Sequence, residues 1–360
     1  MEAPVEQLFD RLQTPEPSVI IYDTYLNWAV AMGNRRNIPV ASFYTMSATV
    51  FSIFHNSDLI LQNRHFCSDF PDPQEKEQLI SYIPGVPPMR ITDLPTPIHG
   101  KGQEVLPRAL EATKLLPKAQ YLLFTSVYEL ESQVLDSLKE ELPVKIYSLG
   151  PVIPSFNIEA SIPEEKPDYM KWLDAQPESS VLYISQGSFL SASNAQLDEI
   201  IGGVCDSGVR FLWIARWEVE RFNGCGNGLV VPWCDQLKVL CHPSVGGFWS
   251  HCGWNSTKEG AFAGLPMLTF PLFWDQTTNS KMIVEDWKMG LRVKQKEDDS
   301  LVTREEVARL VLRLMDFKSE EAKERRRRAK EIREICMKAS EGKGSSEIDI
   351  LAFIRDFSRR

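Results

Sequence analysis

Between Gly246 and Gly264 the sequence reads GGFWSHCGWNSTKEGAFAG. An apolar run ending at Ser250 empties through His251, Cys252 and Gly253 into a helical stretch that Gly264 is placed to stop. A strand, a glycine-bearing turn and a helix N-terminus together form an anion site: free backbone N–H groups and the positive end of the helix dipole point at the turn, where a diphosphate can sit. Asn255 and Ser256 are expected at the cap and His251 just before it, so all three can donate to phosphate oxygens. Glu259, one turn on from Asn255, shares its face and is better suited to accept from ribose hydroxyls than to meet phosphate. Taken singly, Asn255 and Ser256 are ordinary helix caps, His251 a structural histidine and Trp233 a core tryptophan. The joint pattern is what points to a nucleotide.

The elements that must hold this turn recur along the chain. Apolar, β-branched runs at 18–22, 121–125, 180–185, 209–215, 246–250 and 266–270 alternate with helical patterns, as in parallel sheets covered on both faces. Prolines at 143, 151, 154, 163 and 167 around a polar, acidic middle mark a linker over 151–167. The expected division is a first domain over 1–150, a second over 168–340, and a C-terminal helix over 341–360 packing back on the first. Thr303 with Glu306 forms a capping-box pattern for one late helix. The run Arg325–Arg328 lies among glutamates 320, 321, 324, 331 and 334 and reads as a solvated helix face.

Composition removes several classes of function. The chain has 360 residues, 43% of them hydrophobic, enough for about two domains. Forty basic against forty-nine acidic residues leave a net charge of -9, which provides no global field for a nucleic acid. Seven widely spread cysteines without Cys-x-x-Cys spacing predict reduced thiols, no metal site and a cytoplasmic protein. The first residues lack a secretory pattern, and no run reaches the roughly 18 apolar residues of a membrane span.

The stretch from Trp233 to Gln276 resembles the plant secondary-product glycosyltransferase box over its full 44 positions, from Trp233 through HCGWNS to Asp275-Gln276. The resemblance extends through Pro84-Gly85-Val86-Pro87-Pro88, Tyr128-Glu129-Leu130-Glu131, Leu149-Gly150-Pro151 and Trp172-Leu173-Asp174, in family order, and is similar to the subgroup called family 87. It implies an α/β fold of GT-B type, two facing Rossmann-like domains with the first incomplete. It also implies inverting transfer of a hexose from a UDP-sugar co-substrate to a hydroxyl of a small lipophilic acceptor, without cofactor or metal. By the same resemblance Trp233 stacks on uracil, the Cys234 backbone meets its edge, and Gln236 with Glu259 holds the ribose. Ser188, His251, Asn255 and Ser256 hold the diphosphate, while Trp254, Asp275 and Gln276 face the sugar, Gln276 resembling members that use glucose.

Two departures from the family stand out. Ser185-Gln186-Gly187-Ser188 replaces the commoner Ser-Phe-Gly-Ser. Asp23 occupies the place of the aspartate that orients the family's catalytic histidine, yet that histidine is absent; histidines 55, 65, 99, 242 and 251 sit in other contexts. The expectation is an N-terminally truncated member lacking on the order of 100 residues, about three strand–helix units, with an exposed strand edge near Asp23 and impaired transfer. The alternative is a relic or gene-model fragment that binds UDP-sugar without catalysis.

Overall fold

The structure is a computed structural model that describes residues 2–12, 17–66, 78–99, 102–153, 166–187, 192–215, 219–222, 224–293 and 301–358. The chain divides into two compact units, Met1–Val152 with Ile335–Arg360, and Ile153–Glu334. The proposed linker lies largely at 154–165, outside the described residues.

In the first unit, β1 (Ile20–Asp23), β2 (Val40–Tyr44), β5 (Tyr121–Phe124) and β6 (Lys145–Ser148) form a parallel sheet in the order β1-β2-β5-β6; β3 (Leu79–Ile80) and β4 (Met89–Arg90) form a separate hairpin. Ala41, Tyr121, Leu123 and Tyr147 close one core with Phe353, from the helix Ser345–Ser358. The landmark Glu131 is buried, its carboxylate accepting from Thr49 N (2.8 Å) and Thr49 Oγ1 (2.7 Å), and so caps the helix Ala48–His55.

The second unit is a six-stranded parallel sheet. Its strands are β7 (Val181–Ser185), β8 (Arg210–Ile214), β9 (Gly228–Val231), β10 (Val245–Ser250), β11 (Met267–Thr269) and β12 (Gly290–Arg292), ordered β12-β11-β10-β7-β8-β9. Every residue of β7 and β10 is buried, which explains their unbroken apolar character. The chain runs outward from β7 to β8 and β9, then returns to β10 on the other side of β7. The order therefore reverses between β7 and β10, and open α/β sheets bind ligands beyond the C-terminal ends of strands at such a switch point. Register pairs Ser185 with Ser250, so the loops after both strands leave side by side.

Two expectations need correction. The Arg325–Arg328 run is not a solvated face. Arg325 is 4% exposed, Arg326 donates to the carbonyls of Gly246 (2.8 Å) and Leu314 (3.2 Å), and Arg328 donates to the Trp287 carbonyl (3.3 Å). These guanidiniums satisfy main-chain carbonyls, including those ending the helix Arg304–Met315; Arg327 alone of the four turns its charge mainly outward, to Glu324 and Glu331. Nor are all the cysteines reduced. Cys205, at the end of the helix Asn194–Asp206, is disulfide-bonded to Cys225 in the loop entering β9, with Cα atoms 5.3 Å apart. Thr303 caps Arg304–Met315 as expected, accepting from the Glu306 amide.

Among the described residues β1 pairs on one side only, and Ile21 on it is 54% exposed. Such an edge is a template for association. Ile21→Lys is predicted to raise the monomeric fraction of the 360-residue chain in light scattering without changing the second unit's thermal unfolding. A wild-type chain that is already monodisperse at the same concentration contradicts this.

Candidate functional site

The β10 loop opens with strain. Cys252 adopts φ +67°, uncommon outside glycine, and its amide donates to Ser250 Oγ (3.0 Å). Its carbonyl accepts from Thr257 Oγ1 (3.3 Å) and Asn279 Nδ2 (2.9 Å). The helix Trp254–Ala263 starts directly afterwards, with Gly253 as its N-cap and no side-chain cap; Gly264, at φ +71°, ends it. Asn255 and Ser256 are thus not caps but second and third residues of the helix. Neither of their amides meets an acceptor among the described residues. The uncapped N-terminus of a ten-residue helix faces the switch point.

His251 packs against the β7 loop. A Cβ on Gly187, which has φ +81°, would lie 2.7 Å from His251 Nε2, so only glycine fits there. Burial lowers the His251 pKa, with a hydrogen bond to the Ser185 backbone opposing. At neutral pH it is therefore an uncharged imidazole, and what it offers a phosphate is a hydrogen bond rather than a cation. Ser188 lies outside the described residues.

Trp233, delivered by the end of β9, is 67% exposed, an open indole face rather than a core residue. Cys234 is buried with Sγ 3.4 Å from Tyr183 Oη, and burial pushes its thiol up to about 11, so it is no nucleophile at neutral pH. Gln236 sits at the centre of a cluster: its Oε1 accepts from Tyr183 Oη (3.1 Å), and its Nε2 donates to Glu259 Oε2 (2.6 Å) and Ser256 Oγ (3.1 Å). Burial raises the Glu259 pKa, and the Gln236 hydrogen bond opposes that shift. Tyr183, on β7, is the member of this cluster that sequence reasoning missed.

At the far end of the box, Asp275 is buried and accepts from Asn279 Nδ2 (2.6 Å), the same amide that reaches the Cys252 carbonyl. Gln276 Oε1 accepts from the amides of Leu272 (2.7 Å) and Phe273 (3.0 Å), which leaves its NH2 group as the end available to a ligand. Trp254 is buried, and Asn255 is exposed. Asp23 lies in the first unit, exposed at the end of β1, with Oδ1 accepting from the Tyr25 amide (2.9 Å); no histidine pairs with it among the described residues.

Comparison with known proteins fits this geometry. Residues 138–312 match the family described as "UDP-glucoronosyl and UDP-glucosyl transferase". The chain is 49% identical to UDP-glycosyltransferase 87A2 of Arabidopsis thaliana, over 99% of this chain and 78% of that protein. The chain belongs to the plant UDP-glycosyltransferase family. Another similar relative, UDP-glycosyltransferase 87A1 of the same plant, is 49% identical over 100% of this chain and 82% of its own length. Among solved structures, Phytolacca americana UGT2, complexed with UDP-2fluoro-glucose and pterostilbene, superposes with a TM-score of 0.85 at 28% identity, covering 99% of this chain and 79% of that one. Os79 from O. sativa in complex with UDP gives 0.83 at 27% identity, over 98% and 81%. The fold is accordingly GT-B, the parallel sheets being its Rossmann-like units, and the chain is a glycosyltransferase that binds a UDP-sugar. Among the described residues no helix is long and apolar enough to cross a membrane.

Burial pushes the Asp275 pKa up to about 6, above the ordinary carboxylate value of about 4. The folded state therefore binds this proton more tightly than the unfolded state, and ionising Asp275 costs stability as pH rises through about 6. Asp275→Asn should melt higher than the parent at pH 7.5, and the gap should shrink as pH falls to 4.5. A gap independent of pH would show that Asp275 is not the buried charge described.

Proposed function

We propose that this glycosyltransferase moves a hexose, glucose by preference, from a UDP-sugar to a hydroxyl of a small lipophilic acceptor, inverting the anomeric centre. The observation carrying this reading is the placement of the Gln236–Glu259–Ser256 cluster beside an uncapped helix N-terminus at the sheet's switch point. Uracil would stack on the exposed Trp233 indole, with the Cys234 backbone at its edge. Glu259 and Gln236 would take the ribose; Asn255, Ser256, His251 and Ser188 the diphosphate; Trp254, Asp275 and Gln276 the hexose hydroxyls. The Phytolacca enzyme's UDP-2fluoro-glucose and pterostilbene support a glucose donor and a lipophilic phenolic acceptor.

In the transfer, the bond from the anomeric carbon to the diphosphate oxygen breaks while the acceptor oxygen attacks from the opposite face. Charge growing on the leaving UDP is met by the first-turn amides of Trp254–Ala263 and by the neutral His251. The acceptor proton needs a base, and among the described residues no histidine pairs with Asp23. A carboxylate near pKa 3.9 is about 2.6 units worse matched to a phenol than an imidazole near 6.5, which amounts to roughly 3.5 kcal/mol, or a few hundredfold in rate. For the 360-residue stretch taken by itself, that mismatch supports the second reading, a chain that holds UDP-sugar and transfers poorly.

Calorimetry with UDP and a UDP-release assay over a panel of phenols and flavonoids test both. Trp233→Ala should weaken UDP about tenfold or more, as loss of base stacking does, and Glu259→Ala should weaken it as well. Unchanged affinity in both variants removes the nucleotide assignment. Turnover by the 360-residue chain should fall at least a few hundredfold below that of Arabidopsis 87A2 on the same panel. Equal turnover shows that another group serves as base.

A further inference from the structure

We infer that Tyr183 is a positioning residue for nucleotide binding: its phenol fixes which way the Gln236 amide faces and, through it, aims Glu259 at the ribose. This rests on the reading of Gln236 and Glu259 as the ribose contacts.

Tyr183 is 1% exposed, in the middle of β7. Its ring is clamped by Phe248, its register partner on β10, with centroids 5.3 Å apart and planes 28° from parallel. The hydroxyl cannot wander, and burial raises its pKa, so it remains an O–H donor. That donor meets Gln236 Oε1 at 3.1 Å. A glutamine amide carries an acceptor at one end and donors at the other, and its two orientations are otherwise nearly equivalent in shape. With the carbonyl held by Tyr183, the NH2 end must point to Glu259 Oε2 and Ser256 Oγ, as found.

The reversed amide would set its carbonyl oxygen against the Glu259 carboxylate, two acceptors in contact. Tyr183 removes that alternative. The consequence falls on Glu259. Its Oε2 is occupied by Gln236, while Oε1 accepts nothing among the described residues and remains for vicinal hydroxyls. The Gln236 hydrogen bond also opposes the rise in Glu259 pKa that burial imposes, and so favours the ionised, accepting form. Tyr183 touches no ligand in this account. It acts from behind the site, through one amide.

The test compares UDP with 2′,3′-dideoxyuridine diphosphate, which keeps base and diphosphate but lacks both ribose hydroxyls, by calorimetry on the full chain. Tyr183→Phe keeps the ring and its stacking, and a melting curve confirms folding. The expected result is about three- to tenfold weaker UDP binding, the range of one net hydrogen bond, with no change for the dideoxy analogue. In a Gln236→Ala background, Tyr183→Phe should add nothing further. Equal weakening of both ligands would show that Tyr183 merely supports the fold, and unchanged UDP affinity would show that the amide is oriented without it; either overturns the inference. Glu259→Ala separates this from the underlying reading. If it discriminates between the two ligands and Tyr183→Phe does not, the inference alone falls; if it fails to discriminate, the ribose assignment falls with it.

Discussion

The close approach of the loops leaving β7 and β10 governs the rest of the second unit. Ser185 and Ser250 are register partners, and the chain beyond them must pass Gly187 against the His251 ring. A side chain at 187 would push the two loops apart. Held together, they bring the turn at Cys252 to the mouth of the switch point and aim the Trp254–Ala263 helix at it with its N-terminus bare. An ordinary helix would recruit a serine or aspartate to that end. Here the available side chains are spent elsewhere: Ser250 on the Cys252 amide, Ser256 on Gln236. In the proposed reading, these unmet amides are the surface that receives the diphosphate.

Several groups around this turn are held at a cost that a purely structural fold would avoid. Cys252 and Trp274 sit at positive φ, Glu259 and Asp275 are carboxylates driven toward their neutral forms by burial, and His251 carries a buried Nδ1 with no partner among the described residues. All lie between Trp233 and Gln276. The stability that offsets them comes from the sheet beneath, where β7 and β10 are buried throughout, and from the Arg304–Met315 helix packed on it. A ligand bound at the turn would offset part of that cost.

Much of this was legible in the sequence. The apolar runs at 121–125, 180–185, 209–215 and 246–250 became β5, β7, β8 and β10 within a residue at most ends, because buried parallel strands leave a continuous signal. The strand β2 was not singled out, since Ala41 and Ser42 interrupt its apolar run, and β12 has three residues, too few for any period. Box residues could be named because the family resemblance rests on one contiguous stretch, Trp233 to Gln276. Tyr183 could not: it reads as one more core aromatic until the fold sets Gln236, 53 positions away, on its hydroxyl. The Cys205–Cys225 bridge spans 20 residues without a metal or redox spacing to announce it. The arginine run misled because alternating charge says nothing of the carbonyls ending a neighbouring helix, which Arg325 and Arg326 reach.

The central claim is that the bare helix N-terminus at the switch point receives the diphosphate. Backbone hydrogen exchange resolved at Asn255 and Ser256, with and without saturating UDP, tests it directly. Both amides lack acceptors among the described residues and should exchange rapidly in the free chain, then slow sharply when phosphate oxygens take up their hydrogens. UDP binding that leaves the exchange of both amides unchanged would place the diphosphate elsewhere and contradict the account.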